Sequence, residues 1–396
     1  MGPTITPRMA STPEMLACFD DAALVGAALR FERELAAALA EHGMISAAAA
    51  QAVAQACDGF DATGLGEAAA HAGTLAIPLV ARLRAAVPGD HAAAVHRGAT
   101  SQDVADTVLV LQVAQAMRLV DRELDALADG LAALARGHAA TPALGRTLLQ
   151  PAEPVSFGMR AANWLLGIDA AAARLTREHR AASQVALGGA VGTLAALGAA
   201  GPAVRDTLAE RLGLASAPAW HSRRDAIAGL GAALGIAIGA VGKLARDIAL
   251  LMQPEIGEVA EPAIAGRGGS SAMPHKRNPT GCQVALSAAI RAPGLVASLL
   301  GGMPQELERG LGGWQAEAPV IADLFALAHG AAHAMRVVID GLEVDAAAIS
   351  AHAGASAAAG DRDEALAAAV RFVDEALAIH DAQVARRPDR AALSGT

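Results

Sequence analysis

Aromatic residues are almost absent from this chain. Tyrosine does not occur, and aromatic residues make up 2% of the 396 positions, although 54% of the positions are hydrophobic. Alanine, leucine and valine must therefore build the core, which favours close contacts between helices over sheets. The composition predicts an all-α fold. The length predicts two or three domains, or one elongated bundle with smaller ends.

Positive charge and cysteine are also in short supply. The net charge is −9 and the isoelectric point is about 5.7, which argues against a nucleic-acid partner. Cys18, Cys57 and Cys282 are odd in number and show no CxxC spacing, so we expect reduced thiols in a cytoplasmic protein. We expect no metal, because the sequence contains no HxxxH pattern or His/Cys cluster.

Long apolar runs are nearly missing as well. The first fifteen residues lack the apolar stretch of a secretion signal. One run, 226–242, is apolar on all sides, but it is shorter than the ~20 residues that span a bilayer. We expect this run to be buried in a helical bundle or an oligomer core, with no membrane partner.

Helix start and stop signals divide the chain. Thr12 is a predicted N-cap for a helical region that ends at Gly43, and "PGD" at 88–90 breaks the pattern before a long helical run from Asp103 to about His138. The predicted parts are an N-terminal helical domain (1–102), a central helical bundle (103–338) and a short C-terminal helical domain with a tail (339–396).

The most unusual stretch is "GGSSAMPHKRNP" at 268–279. A Gly-Ser segment between helices is most often a solvated linker. In this one, Lys276 and Asn278 lie on a path stiffened by prolines, while the two glycines leave the upstream part free to move. A fixed cation beside mobile hydroxyls suits a loop that holds an anion and delivers a base. Arg277 follows the lysine, so the stretch does not match the GxxxxGK[ST] phosphate loop.

Two other polar segments precede predicted helices. In "GATSQDVADT", Thr100 and Asp103 fit a capping box, and the hydroxyls of Thr100 and Ser101 at a helix N-terminus also suit a carboxylate site. The two interpretations are compatible. The second segment, "GRTLLQPAEPVSFG", is a predicted polar turn that offers Arg146, Thr147 and Gln150.

These segments, with "GGAVGT" at 188–193, resemble the conserved regions of the fumarase, aspartase, argininosuccinate lyase and adenylosuccinate lyase superfamily, in the same order. The stretch at 268–279 resembles the superfamily signature, and the resemblance covers roughly residues 10–340. It implies a homotetramer built on a central helical bundle, with each active site assembled from three subunits and with no cofactor.

The resemblance also implies roles for three residues of the signature. Ser270 corresponds to the residue that removes a proton α to a carboxylate. Lys276 and Asn278 correspond to the residues that bind this carboxylate and stabilise the aci-carboxylate intermediate. A lone serine is a poor base, so it needs nearby cation and amide dipoles to favour its alkoxide.

Two positions depart from the members that expel an amine or hydroxide. Those members carry His directly after "GRT" and Glu seven residues after the signature lysine, where this chain has Leu148 and Gln283. An amine must be protonated to leave, whereas a carboxylate with a pKa of about 4 leaves unaided. The absence of both residues favours a carboxylate as leaving group, or as nucleophile in the reverse direction.

One branch of the superfamily has this chemistry. "LLQPAEPVSFGM", "WHSRRD" (220–225) and "PQELERGLGGWQAE" (304–317) resemble the 3-carboxy-cis,cis-muconate cycloisomerases, although Trp often stands at the position of Leu148. The resemblance implies lactone closure to 4-carboxymuconolactone in protocatechuate (beta-ketoadipate) catabolism. An adenylosuccinate-type lyase and a non-catalytic helical scaffold remain alternatives. Loss of turnover in a Ser270→Ala variant would argue against the scaffold.

A tricarboxylate substrate requires local positive charge in an acidic protein. We expect Lys276, Arg224 and Arg309 to supply it, with Arg146, Arg267 and Arg277 behind them. The expected catalytic residues are Ser270 and Lys276, and the expected substrate-binding residues are Thr100, Ser101, Gln102, Arg146, Thr147, Gln150, Arg224, Ser271, Met273, Asn278 and Arg309. The candidate site-lining residues are His96, His221, His275 and Leu148.

Overall fold

The computed structural model describes residues 5–269, 273, 276–354 and 362–387, and this part of the chain is mostly helical. The all-α prediction is confirmed. The helices are α1 (Ile5–Ala10), α2 (Pro13–Ala17), α3 (Asp21–Glu41), α4 (Ala47–Asp58), α5 (Leu65–Ala72), α6 (Ala76–Ala86), α7 (Ser101–Gly137), α8 (Phe157–Ala182), α9 (Gly201–Leu212), α10 (Asp225–Leu251), α11 (Thr280–Gly302), α12 (Gly313–Asp340), α13 (Ala346–Gly354) and α14 (Arg362–Val384). The strands are β1 (Pro142–Thr147), β2 (Gln150–Ser156), β3 (Val259–Ala260) and β4 (Glu343–Val344).

Capping side chains explain where several helices begin. Thr12, Asp20 and Ser156 accept hydrogen bonds from backbone N–H groups in the first turns of α2, α3 and α8, at 3.3, 2.8 and 3.0 Å. Each cap satisfies an N–H group that has no partner within its helix. The predicted N-cap at Thr12 is thus confirmed.

Five long helices, α7, α8, α10, α11 and α12, pack together into the central bundle. Small residues allow α10 to approach its neighbour closely. A Cβ atom at Gly231 would lie 2.1 Å from Leu299 of α11, and one at Gly242 would lie 2.7 Å from Ala289. Large side chains at these two positions would push α10 and α11 apart, which is why a core poor in aromatic residues can still be dense.

A second hydrophobic core lies among the N-terminal helices. Phe31 and Leu35 of α3 are fully buried there with Leu79 of α6 and Leu208 of α9. Helix α9 is thus central in sequence but packs with the N-terminal helices. The predicted boundary at residue 102 falls within the first turn of α7, and the three-part division of the chain stays a prediction.

The segment expected to be a polar turn is an antiparallel hairpin. Strands β1 and β2 pair with Thr147 opposite Gln150, and Leu148 and Leu149 form the two-residue loop with φ of 50° and 64°. Two-residue hairpin loops need positive φ, which Asn and Gly adopt more easily than Leu. The loop leaves Leu148 96% and Leu149 73% exposed.

Three described helices are long and apolar enough to span a membrane, judged by length and composition alone: α10, α11 and α12. In α10 and α12, 61% of the most apolar window is buried within this chain, in line with the expectation for 226–242. In α11 only 22% of that window is buried. Among the described residues, much of α11 therefore has no covering neighbour from its own chain.

Candidate active site

Asp103 organises the start of α7. Its buried carboxylate accepts hydrogen bonds from the N–H groups of Gly188 and Gly189 at 2.8 and 3.0 Å. It also accepts one from the Thr100 N–H at 2.9 Å, as the predicted capping box requires, and lies 2.6 Å from His221 Nε2. One side chain thereby joins the start of α7, the loop at 188–193 (the glycine loop) and the segment before α10.

Arg309 reaches the same place from the connection between α11 and α12. Its Nη1 donates to Thr100 Oγ1 at 2.8 Å, and its Nη2 donates to the carbonyl of Ala190. Thr100, Ser101 and Arg309 are all partly exposed. We call these three residues the α7 cluster. A guanidinium and two hydroxyls at a helix N-terminus are suited to a carboxylate, because the helix dipole also favours an anion there.

Two residues expected to face the substrate are instead enclosed by protein. Gln102 is 0% and His221 is 2% exposed. The Gln102 amide donates to the carbonyl of His221 at 2.8 Å and to Asp106 at 3.2 Å. These contacts correct the expectation that Gln102 binds the substrate and that His221 lines the site, since both support the α7 cluster from behind.

Arg224 is likewise buried rather than available to an anion. It is 2% exposed and donates to both carboxylate oxygens of Asp106 at 2.8 and 2.9 Å, and to Glu317 at 2.9 Å. Its guanidinium also lies 4.7 Å from the ring centroid of Trp220. Burial alone would lower the pKa of Arg224, but its hydrogen bonds to the two carboxylates outweigh burial and raise it. The expectation that Arg224 supplies a free cation is therefore corrected.

The hairpin carries Arg146 one residue before the pair at its tip, and polar groups at the tip itself. Arg146 Nη2 donates to buried Glu258 at 2.6 Å, and Arg160 and His352 bind the same carboxylate at 3.2 and 3.0 Å. Burial alone would raise the pKa of Glu258, but these partners outweigh it and hold the pKa below its usual range. Beyond this anchor, the predicted Thr147 and Gln150 are exposed with Leu148 between them.

The signature stretch places Lys276 at the surface and Asn278 partly buried. Asn278 donates from its N–H to Gly268 O at 2.8 Å and from its amide to Gly269 O at 3.3 Å, so the two ends of the stretch are tied together. Met273 is 52% exposed. The predicted Ser270, Ser271 and His275 lie outside the described residues.

Carboxylates already engage the two arginines beside the signature. Arg277 donates to Glu343 at 2.8 and 2.9 Å, and Arg267 lies 3.8 Å from Glu261. Glu261 also accepts hydrogen bonds from the first backbone N–H groups of α11, at 3.0 and 2.9 Å. Lys276 differs from both arginines, because no carboxylate of the described residues forms an ion pair with its ammonium group.

A cavity of about 720 Å³ lies against the signature and the start of α11. Asn278 and Gln283 line it, with Arg291 further along the helix. Its volume suits a small organic ligand. Gln283 therefore presents a neutral amide to this cavity where the amine-expelling members have a carboxylate.

Sequence reasoning missed the partner of His96. His96 Nδ1 lies 2.6 Å from Oε1 of Glu32, which is 1% exposed, and His96 adopts a positive φ of 61°. Glu32 is in α3, far from any motif, so no local signal indicated this contact.

Over the ranges that the structure describes, no group of three or more His, Cys, Asp or Glu side chains is arranged to hold a metal ion.

The predicted site residues thus form three separately supported sets. Asp103 holds the α7 cluster, Glu258 anchors the hairpin, and the backbone of Gly268 and Gly269 holds the signature. Each set presents polar groups to solvent, on a separate part of the chain.

Comparison with known proteins identifies the family. A family model described as lyase matches residues 8–294. A 3-carboxy-cis,cis-muconate cycloisomerase of Pseudomonas aeruginosa is 46% identical over 84% of this chain and 74% of its own length. The solved 3-carboxy-cis,cis-muconate lactonizing enzyme of Pseudomonas putida superposes with a TM-score of 0.85 and 38% identity, over 99% of this chain and 92% of that one.

A nitrosuccinate lyase of Streptomyces davaonensis is also similar, with 41% identity over 86% of this chain and 75% of its own length. The residues that the family model matches include α7, the hairpin and the signature, and therefore every member of the three sets of predicted site residues except Arg309. The chain belongs to the lyase family of the fumarase/aspartase superfamily, in the branch of the 3-carboxy-cis,cis-muconate cycloisomerases.

Proposed function

We propose that this protein is a 3-carboxy-cis,cis-muconate cycloisomerase, an intramolecular lyase that needs no cofactor. The observation that carries the proposal is the pair of Leu148 and Gln283 within a chain 46% identical to a cycloisomerase. Leu148 is an exposed aliphatic side chain and Gln283 is a neutral amide on the signature cavity. Neither can protonate a departing amine, whereas a carboxylate nucleophile or leaving group needs no such acid.

The proposed reaction is an addition of carboxylate to a conjugated double bond. One substrate carboxylate attacks the diene, and negative charge develops on the carboxylate conjugated to it. Lys276 and Asn278 stabilise this aci-carboxylate, because a cation and an amide dipole are most effective where charge appears in the transition state. The hydroxyl of Ser270 then delivers a proton to the adjacent carbon, which completes the lactone, and the serine alkoxide takes up a proton from solvent to restore the hydroxyl.

The other carboxylates of the substrate require their own partners. We propose that the α7 cluster binds one of them, through the Arg309 guanidinium and the hydroxyls of Thr100 and Ser101. Thr147 and Gln150 at the hairpin tip are proposed to bind another polar group of the substrate, with Met273 and His96 lining the site.

We propose a homotetramer with active sites shared between subunits. The support is the separate anchoring of the three sets, together with the uncovered face of α11, where Ile290 is 76% exposed. The expected setting is the cytoplasm, in protocatechuate catabolism, with no nucleic-acid or membrane partner. The net charge of −9 and three buried, unpaired cysteines agree with this setting.

A second candidate function is nitrosuccinate cleavage, which the 41% identity to the nitrosuccinate lyase favours. A panel of substrates separates the possibilities. Purified protein is incubated with 3-carboxy-cis,cis-muconate, cis,cis-muconate, nitrosuccinate and adenylosuccinate, and the products are identified by NMR. The proposal predicts a lactone from the first compound, with turnover of the others at least 100-fold slower by kcat/KM. Preferred cleavage of nitrosuccinate or adenylosuccinate would contradict it.

Deuterium labelling tests the protonation step. In D₂O, the proposed mechanism places a single deuterium on the carbon next to the carboxylate that Lys276 stabilises. A lactone without deuterium at that carbon would rule out protonation by a group that exchanges with solvent.

A further inference from the structure

Asp103 is a buried carboxylate for which the proposed reaction has no direct use. It is 0% exposed and receives four hydrogen bonds, of which three come from backbone N–H groups and one from His221 Nε2. The Asp103 side chain therefore binds three segments at once: the start of α7, the glycine loop and the segment before α10. Substrate cannot reach this carboxylate, so any effect on catalysis must pass through the groups that it holds.

The contacts of Asp103 close into a ring that includes Arg309. Asp103 holds the N–H groups of Thr100 and Gly189. The hydroxyl of Thr100 accepts from Arg309 Nη1, and the carbonyl of Ala190, the residue after Gly189, accepts from Arg309 Nη2. Both supports of the Arg309 guanidinium are thus fixed by the same carboxylate, which does not itself touch Arg309.

Close packing leaves the glycine loop little room to adapt. Gly189 has a φ of 70°, and a Cβ atom there would lie 2.9 Å from Gly98 O. At Gly188, a Cβ atom would lie 2.9 Å from the ring of His221 and 2.5 Å from Ala219. The loop that carries Ala190 therefore depends on the Asp103 and His221 pair for its position.

We propose that Asp103, together with His221, is a positioning residue that sets Arg309 and Thr100 for one carboxylate of the substrate. The inference rests on the proposed function, in which the α7 cluster binds that carboxylate. Asp103 acts through hydrogen bonds, and its own negative charge is taken up by four donors rather than presented to the ligand.

An Asp103→Asn variant disturbs this arrangement with almost no change of volume. The asparagine side chain keeps one oxygen that can accept hydrogen bonds. Its NH₂ group, however, faces backbone N–H groups, and two donors cannot form a hydrogen bond. We expect Arg309 to lose a fixed position and KM to rise about 10- to 100-fold, the range for loss of buried hydrogen bonds to a charged group. The value of kcat should change less than threefold, because Lys276 is supported separately.

A matched control is Asp106→Asn, which removes another buried carboxylate one turn along α7. Asp106 binds Arg224 rather than the glycine loop. This variant should lower the melting temperature while KM stays within about threefold of wild type. An equal rise in KM in both variants would overturn the inference, because it would reflect general loosening of α7.

A second pair of variants covers the case in which Asp103→Asn fails to fold. His221→Leu removes the donor to Asp103, whereas His221→Gln keeps an N–H donor. We expect KM to rise in the leucine variant and to return most of the way to wild type in the glutamine variant. Equal KM values in the two variants would contradict the proposal.

Binding of propane-1,2,3-tricarboxylate, measured by calorimetry, separates this inference from the proposed function. If wild type converts no muconate, the proposed function fails, but weaker binding of this unreactive tricarboxylate by Asp103→Asn would still support the positioning role. If wild type is active and both KM and the dissociation constant are unchanged in Asp103→Asn, only the positioning role fails. Failure of wild type to bind the tricarboxylate overturns the inference.

Discussion

Lysine occurs only twice in this chain, at positions 243 and 276. Lys243 is paired with Asp247 on α10, whereas Lys276 is exposed on the signature stretch. The two residues therefore form a natural comparison at the scale of single side chains, since each carries one ammonium group in a chain that otherwise relies on arginine.

Replacing Lys276 by methionine should lower kcat at least about 100-fold, because the developing aci-carboxylate loses its cation. Lys243→Met is the matched control and should retain wild-type kcat. Steady-state kinetics with 3-carboxy-cis,cis-muconate measures both. Equal activity of the two variants would remove Lys276 from the mechanism.

The buried histidine His179 should make the free energy of unfolding depend on pH under acidic conditions. His179 of α8 is 3% exposed, and burial lowers its pKa from 6.5 to about 4. The unfolded chain therefore binds the extra proton first, and the stability that this group contributes is complete above pH 6.5 and is lost as the pH falls toward 4. The free energy of unfolding should drop by about 3 kcal/mol over that range on account of His179.

The check is urea unfolding at pH 4, 5 and 6.5 of wild type and His179→Leu. The variant should lose less stability on acidification than wild type. His71→Leu, at an exposed position on α5, is the control and should follow wild type. A His179→Leu variant as acid-sensitive as wild type would show that this histidine is not buried in its neutral form.

Residue types and motifs predicted which polar side chains of the candidate site are exposed. They did not predict the buried contacts that hold these side chains. Thr100, Ser101 and Arg309 were expected from polar motifs, and the structure brings them together. Arg224 and His221 were expected beside them, but the sequence does not reveal that carboxylates 118 positions away neutralise or hold each one. A motif identifies which residues matter, whereas burial decides whether a charge meets the ligand or a partner in the core.

At the scale of secondary structure elements, helix boundaries followed from local signals and the hairpin did not. The caps at Thr12 and Thr100 could be predicted because each is a short-range pattern of a hydroxyl and a carboxylate, with Pro13 following Thr12 in the first. The hairpin loop has Leu148 and Leu149 at positive φ, where Asn or Gly is usual, and β2 contains two prolines, which are rare inside strands. The sequence therefore lacked both the usual signal for a hairpin loop and the usual signal for a strand. Arg146 in the hairpin binds Glu258, which lies more than 100 positions away in the sequence, and this contact anchors the hairpin.

The buried pairing of Arg224 should stabilise the bundle by linking the start of α10 to α7 and α12. Arg224→Met leaves Asp106 and Glu317 buried without their cation, which should cost about 3–5 kcal/mol. Arg223→Met is the control, because its neighbouring guanidinium is exposed and donates only to the carbonyls of Pro218 and Ala219. Its effect should stay within about 0.5 kcal/mol. Thermal and chemical unfolding measure both, and equal stabilities would refute the structural role of Arg224.

At the scale of the whole molecule, the three sets of site residues raise the question of which chains supply one active site. A site shared between subunits predicts complementation. Lys276→Met and Thr147→Val variants are each expected to be impaired, but in mixed tetramers some sites receive native lysine from one chain and native threonine from another.

Co-expression of the two variants should therefore restore activity to about one quarter of wild type, the fraction expected for random mixing. Light scattering of the purified mixture tests whether it is tetrameric. An Ile290→Glu variant, altered on the uncovered face of α11, should give smaller species with little activity. No recovery of activity in verified mixed tetramers would place both residues in a site within one chain.

Lactone closure is tested most directly by the loss of conjugated-diene absorbance when the purified protein is mixed with 3-carboxy-cis,cis-muconate, with Ser270→Ala measured alongside. We expect rapid loss of absorbance with wild type, formation of a lactone, and a reaction at least about 100-fold slower in the variant. Unchanged absorbance with wild type, or an equal rate in Ser270→Ala, would contradict this expectation.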